Sequence, residues 1–317
     1  MLQKLELDAL RADLSSVESM LAARTAVTDP IGHLQLTERK SEIEGLIGDL
    51  SNTATHHGAI AIFFGGLPVV GSKGIMASFA GKALDAFHDV VSKQFAIEEL
   101  GSLGTRGPVP FVNDKRLMVT DVARGSFGFV LEEADQNGSL TDTEIKTALA
   151  SAASLVIATA SPSEEEFERA VDTLDPRLLQ SLKKFFAVLE EGQSTIRLVE
   201  GAHENQLDRQ AVARAKVRTE RLNIDERETD QIVGVLLGLL PQHKRFEMKL
   251  LETGEVISGS VSPDISQRAL ESAISATNPL IGKTWRTKMK VREVTERNRS
   301  PRNAYTLVAL VEEAKSE

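Results

Sequence analysis

The chain has 317 residues, 41% of them hydrophobic and 26% charged, the mixture of a folded globular protein long enough for two or three cores. It contains no cysteine, which excludes disulfides, thiolate nucleophiles and cysteine-based zinc sites. The net charge of −9 is uneven, −12 over the first 240 residues and +3 over the last 77, so the two ends are expected to meet different partners.

Leu7, Leu10, Leu14, Val17 and Leu21 recur at steps of three and four and predict an amphipathic helix. Acidic and basic residues interrupt these leucines, unlike the apolar core of a signal peptide, and no run of about 18 apolar residues follows anywhere. The expectation is a cytoplasmic protein with no membrane partner. Asp29-Pro30 is read as a stop, with a second helix from Thr37 burying Ile43, Leu46, Ile47 and Leu50. Residues 1–55 thus form a helical hairpin, a candidate route to a homo-oligomer.

Residues 56–160 read as an α+β layer pair. The stretch AIAIFFGGLPVVGSKG predicts a β-hairpin, and Phe79, Ala83, Phe87, Val90, Val91 and Phe95 mark a long helix across it. Leu117 to Val122 and Phe127 to Leu131 add two strands, giving a four-stranded sheet with packed helices. A helical connector follows over 161–225. Its starts are signalled by Ser163 with Glu166 and by Asp175-Pro176, and a short strand interrupts it around Ile196 to Val199.

The last segment, 226–317, changes style. Strands at 231–240, 246–251 and 256–261, a helix over 263–276, and strands at 285–294 and 304–311 predict a five-stranded small β-barrel with one helix. Both an OB-like and an SH3- or Sm-like barrel fit that order. The fold class is therefore α+β with a C-terminal barrel.

Four stretches invite a chemical reading. Glu133, Asp135, Asn137, Gly138, Thr141 and Glu144 have the spacing of a calcium loop. The segment before them alternates like a strand and contains Gly125 and Gly128, so a turn at Asn137-Gly138 followed by a helix capped at Thr141 is the preferred account. Gly71-Ser72-Lys73-Gly74 places the lysine wrongly for a phosphate-binding loop, leaving only the amides near Gly74 as an anion site. Ser181 and Lys184 have Ser-x-x-Lys spacing but read as mid-helix structure, and the His56-His57 pair reads as a solvated loop. No catalytic residue, metal or cofactor is assigned.

The basic stretch from Lys283 to Arg302 carries eight cations and two carboxylates. Within its strand, Trp285, Thr287, Met289 and Val291 alternate with Arg286, Lys288, Lys290 and Arg292, so one face is core and the other a cationic ladder. Arg297, Arg299 and Arg302 continue it into the loop beyond. The functional expectation is a non-catalytic binding and assembly protein whose barrel offers this ladder to nucleic acid or to an acidic protein surface. The alternatives are an enzyme with its site between the N-terminal sheet and the helices, around Gly71–Gly74 and the 124–129 turn, or a protein-only scaffold or accessory subunit.

Overall fold

A computed structural model describes residues 2–53, 55–104, 107–109, 117–123, 127–134, 141–262, 265, 266, 268, 270, 271, 280–296 and 301–313. The expected fold class holds: helices and antiparallel sheets followed by a closed five-stranded barrel.

Helices α1 (Gln3–Ala22) and α2 (Pro30–Asn52) form the N-terminal hairpin. Asp29-Pro30 proves to be a start signal for α2 and not only the stop for α1. The Asp29 carboxylate accepts the Gly32 N–H at 3.0 Å, and Pro30 occupies the first helical position, where its missing N–H is no loss. The second helix therefore begins seven residues before Thr37.

The sheet holds five strands instead of four. Its order is β4 (Leu117–Ala123), β5 (Phe127–Glu133), β1 (Ala59–Gly66), β6 (Ser194–Glu200) and β7 (His203–Leu207), every neighbour antiparallel. Val69–Val70 (β2) does not return to β1 but closes a small separate ladder with Gly74–Ile75 (β3). The short strand expected around Ile196 to Val199 is β6, beside the central strand. Strand β1 is buried on both faces: Ile60, Ile62 and Phe64 enter the main core, while Ala61 and Phe63 face a smaller cluster with Leu2. Gly128, opposite Phe63 in β5, leaves the room that the phenylalanine ring fills.

One face of the sheet is covered by α3 (Ala77–Leu100), α4 (Glu144–Ala160), α5 (Glu164–Asp172), α6 (Pro176–Glu191) and α7 (Arg209–Arg221). The helices expected as a connector share this core, through Phe167, Leu182, Phe185, Phe186 and Val212. Their predicted starts are seen: Ser163 accepts the Glu166 N–H and Asp175 the Arg177 N–H. Asp208 adds a third cap, on α7.

Strand β8 (Leu222–Leu240) follows α7 without a break and runs through both cores. Leu222 and Ile224, with Val294, belong to the core of the α+β unit, whereas Leu236 and Leu239 belong to the barrel. The barrel is completed by β9 (Arg245–Leu250), β10 (Val256–Val261), β11 (Thr284–Glu296) and β12 (Arg302–Glu313), in the closed order β10-β12-β11-β8-β9. Its third and fifth strands, β10 and β12, pair in parallel. That pairing is the OB arrangement, which the linear order of elements alone could not distinguish from the SH3 type. Of the predicted helix over 263–276, Leu270 is described and buried in the barrel core; most of the rest lies outside the described residues.

Candidate functional site

The predicted ladder on β11 has the expected alternation only in its first half, for Lys290 is half-buried and Arg292 buried. Thr287, Met289 and Val291 are buried and Arg286 and Lys288 are exposed, while Trp285 donates its indole N–H inward to the Leu280 carbonyl at 2.9 Å. The cations nevertheless have partners within the chain. Arg286 meets Glu312 of β12 at 3.0 Å, and Lys288 meets Glu228 of β8 at 2.7 Å. Lys290 donates to the Ser102 hydroxyl at 2.8 Å, just beyond α3. Arg292 is paired with Glu226 at 2.5 Å, with side-chain exposures of only 11% and 13%. Arg302 binds Asp172 of α5 at 2.7 Å. Burial pushes the Asp172 carboxyl up, against the pull of that guanidinium. Arg297 and Arg299 lie outside the described residues.

These pairs change what the ladder can do. Arg286 and Lys288 sit in surface pairs, each worth at most about 1 kcal/mol. Both charges are nonetheless answered locally, so the face offers little net field to a polyanion. Arg292, Lys290 and Arg302 connect the barrel strands to one another or to the helical unit. The face that oligonucleotide-binding OB barrels use, strands two and three, exposes Arg245, Glu247 and Lys249 on β9 and Val256 and Ser258 on β10. Among the described residues it presents no aromatic ring on which a base could stack, since Phe246 is buried. The open cleft at the barrel mouth, about 840 Å³, is lined by Glu228, Asp230 and Glu252 against Arg227.

The calcium-type spacing is entered from a strand and left through a helix start. The segment entering it is β5, not a helix, and at its end the Glu133 carboxylate accepts the Thr143 hydroxyl at 2.8 Å. Thr143, two residues after the predicted Thr141, caps α4 by accepting the Lys146 N–H, and Glu144 is the first helical residue. Asp135, Asn137 and Gly138 lie outside the described residues. Among the described residues no three histidines or carboxylates gather as metal ligands.

Gly71-Ser72-Lys73-Gly74 forms the turn between β2 and β3, closed by the Lys73 N–H on the Val70 carbonyl at 2.9 Å. It is not a strand-to-helix turn, because α3 begins only at Ala77. Ser181 is buried and lies between two charges of α3, 2.6 Å from both the Lys93 ammonium and the Asp89 carboxylate. Burial opposes ionisation of Asp89, but the Ser181 hydroxyl and Lys93 together hold its carboxyl below the usual range. This is a polar staple between α3 and α6, with Lys184 bound elsewhere, to Asp85.

Two further surfaces stand out, one that no sequence pattern marked and one already expected as a contact between copies. One is a cleft of about 570 Å³ between α4, α5 and the β6–β7 hairpin, with Glu166, Arg169, Glu200 and His203 on its walls. It lies between the N-terminal sheet and the helices, away from Gly71–Gly74. The other is the outer surface of the α1–α2 hairpin. Inside that hairpin only Val17 and Ile43 are buried, whereas Val27, Ile31 and Leu34 are 91%, 71% and 60% exposed. No described helix is long and apolar enough to cross a membrane. No family model, no curated protein and no solved structure matches the chain.

Proposed function

We propose that the protein is a self-associating, non-catalytic assembly protein, and that its N-terminal helical hairpin is the contact between copies. The observation that carries this reading is the unfinished core of the hairpin. Leu7, Leu10, Leu14, Leu21, Leu36, Ile47 and Leu50 are only half-buried, and Met20, Leu46, Val27, Ile31 and Leu34 are exposed. Two antiparallel helices enclose no interior of their own, and apolar side chains left exposed together mark contact surfaces. A second hairpin supplies the missing half of a four-helix bundle.

The proposed occupant is a second copy: both helices carry half-buried leucines among charges of both signs, and a like surface on another chain can meet them across a two-fold axis. The two helices are already fixed to each other by Arg39–Asp13 at 2.8 Å and Lys40–Glu18 at 2.7 Å. At the open end, Leu2 packs on the sheet beside Phe63 and Lys4 binds Glu204 of β7 at 2.6 Å. A rigid hairpin held this way presents its stripe without a folding cost.

In this reading the cationic ladder braces the barrel, and nucleic acid is not the partner. Sedimentation velocity over a dilution series tests the proposal: a mass near twice the chain at micromolar concentration, falling toward the monomer on dilution, is expected. A monomer throughout overturns it. The same preparation, titrated with a labelled single-stranded oligonucleotide at low salt, is expected to show no binding. Tight binding that weakens steeply with salt and is lost on Arg286→Glu with Lys288→Glu restores the ladder as a partner surface and overturns the bracing role.

A further inference from the structure

We infer that the cleft between α4, α5 and the β6–β7 hairpin is a binding site for a small zwitterion of the amino-acid type, a carboxylate and an ammonium on a short aliphatic body. This goes beyond self-association and uses none of the hairpin residues. Arg169 stands on the α5 wall. Its Nε donates to the Glu165 carbonyl of its own helix at 3.3 Å, and among the described residues it is paired with no carboxylate. A guanidinium free of a carboxylate partner is a receptor for one.

The β6–β7 side of the cleft carries Glu200 at the end of β6. Among the described residues its carboxyl accepts no hydrogen bond, and burial pushes it above the usual carboxylate range, against the pull of His203 and Lys146. A half-buried carboxylate without a donor is under-solvated, and an incoming ammonium supplies both the charge and the hydrogen bonds it lacks. Glu166, the second carboxylate on the walls, is already engaged by the Ser161 hydroxyl at 2.5 Å, so Glu200 is the open one. Between the two walls the floor is Ala150, Ala153, Ile157 and Leu198. That surface suits a short aliphatic group and offers no partner for a further charge.

The volume of about 570 Å³ admits such a ligand with water around it. Opposite charges from two different elements of the cleft, α5 and β6, select a zwitterion over a simple amine or a simple acid, since either of those leaves one charge unanswered.

Isothermal titration of the full-length chain with L-alanine and L-leucine, and with propylamine and propionate as single-charge controls, tests the assignment. Binding of at least one amino acid is expected, with both controls at least about tenfold weaker, one charge pair being worth about that factor. Arg169→Gln and Glu200→Gln are each expected to weaken the amino acid by about tenfold or more. Circular dichroism and the sedimentation profile of both variants are expected to stay those of the wild type. No heat with either amino acid up to 10 mM overturns the inference, as does equal binding of a control or undiminished affinity in both variants. These outcomes are independent of whether the chain self-associates, because the hairpin contributes no wall to the cleft.

Discussion

The buried pair Arg292–Glu226 carries the bracing role proposed for the ladder. Taking either partner away leaves an uncompensated charge in a site almost closed to water. Arg292→Met is therefore expected to lower unfolding stability by about 3–5 kcal/mol in a urea titration, while Arg292→Met combined with Glu226→Leu is expected to return to within about 1 kcal/mol of the wild type. A double variant as unstable as the single one would deny the pair its role. Glu200 behaves in the opposite sense. Its folded-state pKa is raised, so it contributes stability below its unfolded value, about 4.3, and loses that contribution as pH rises through the folded value. Glu200→Gln is accordingly expected to raise Tm at pH 7.5, with the gain vanishing by pH 4. A Tm gain that is the same at both pH values would show that ionisation of Glu200 is not the cause. Neither residue was identifiable from its neighbours in sequence: Glu226 lies 66 positions from Arg292, and the ladder's alternation reports which side faces out without reporting what waits there.

Elements were legible where a period was strong. The alternation along β11 predicts most of its buried and exposed sides, and the turn residues between the barrel strands fix their number, although β8 starts at Leu222, nine residues before the expected 231. Strand β7, His-Glu-Asn-Gln-Leu, carries no alternation and no β-branched residue. It forms because β6 offers it an open edge and because Lys4 and Arg197 neutralise Glu204. Asp29-Pro30 shows a different ambiguity, for the same dipeptide that ends one helix pattern caps the next. Asp29→Ala is expected to cost about 1 kcal/mol of local stability, seen as faster amide exchange confined to the first turn of α2. Unchanged protection there would mean that the Pro30 geometry alone sets the helix start. The four-strand reading of the sheet failed for a related reason: β2 has strand-like residues, but among the described residues it pairs only with β3.

At the scale of the molecule, β8 runs from one core into the other, and β11 pairs with it along most of its length. Together with Arg302–Asp172 and Lys290 on Ser102, this ribbon makes the barrel an extension of the α+β unit. Among the described residues, one apolar surface without a partner lies at the other end of the chain, on the hairpin, and it is there that the sequence had already placed its leucine repeat. What the sequence did not show is that the leucines of the repeat stay only half-buried after folding, with Val27, Ile31 and Leu34 exposed beside them, because burial depends on which other elements reach them. The central claim is that a second copy covers it, and the direct measurement is the solution mass of the wild type beside Ile31→Glu with Leu34→Glu, by light scattering at micromolar concentration. Both positions are exposed within one chain, so the variant is expected to keep the wild-type fold by circular dichroism while falling from twice the chain mass to the monomer mass. A variant that retains the wild-type oligomer, or a wild type that is already a monomer, contradicts the account.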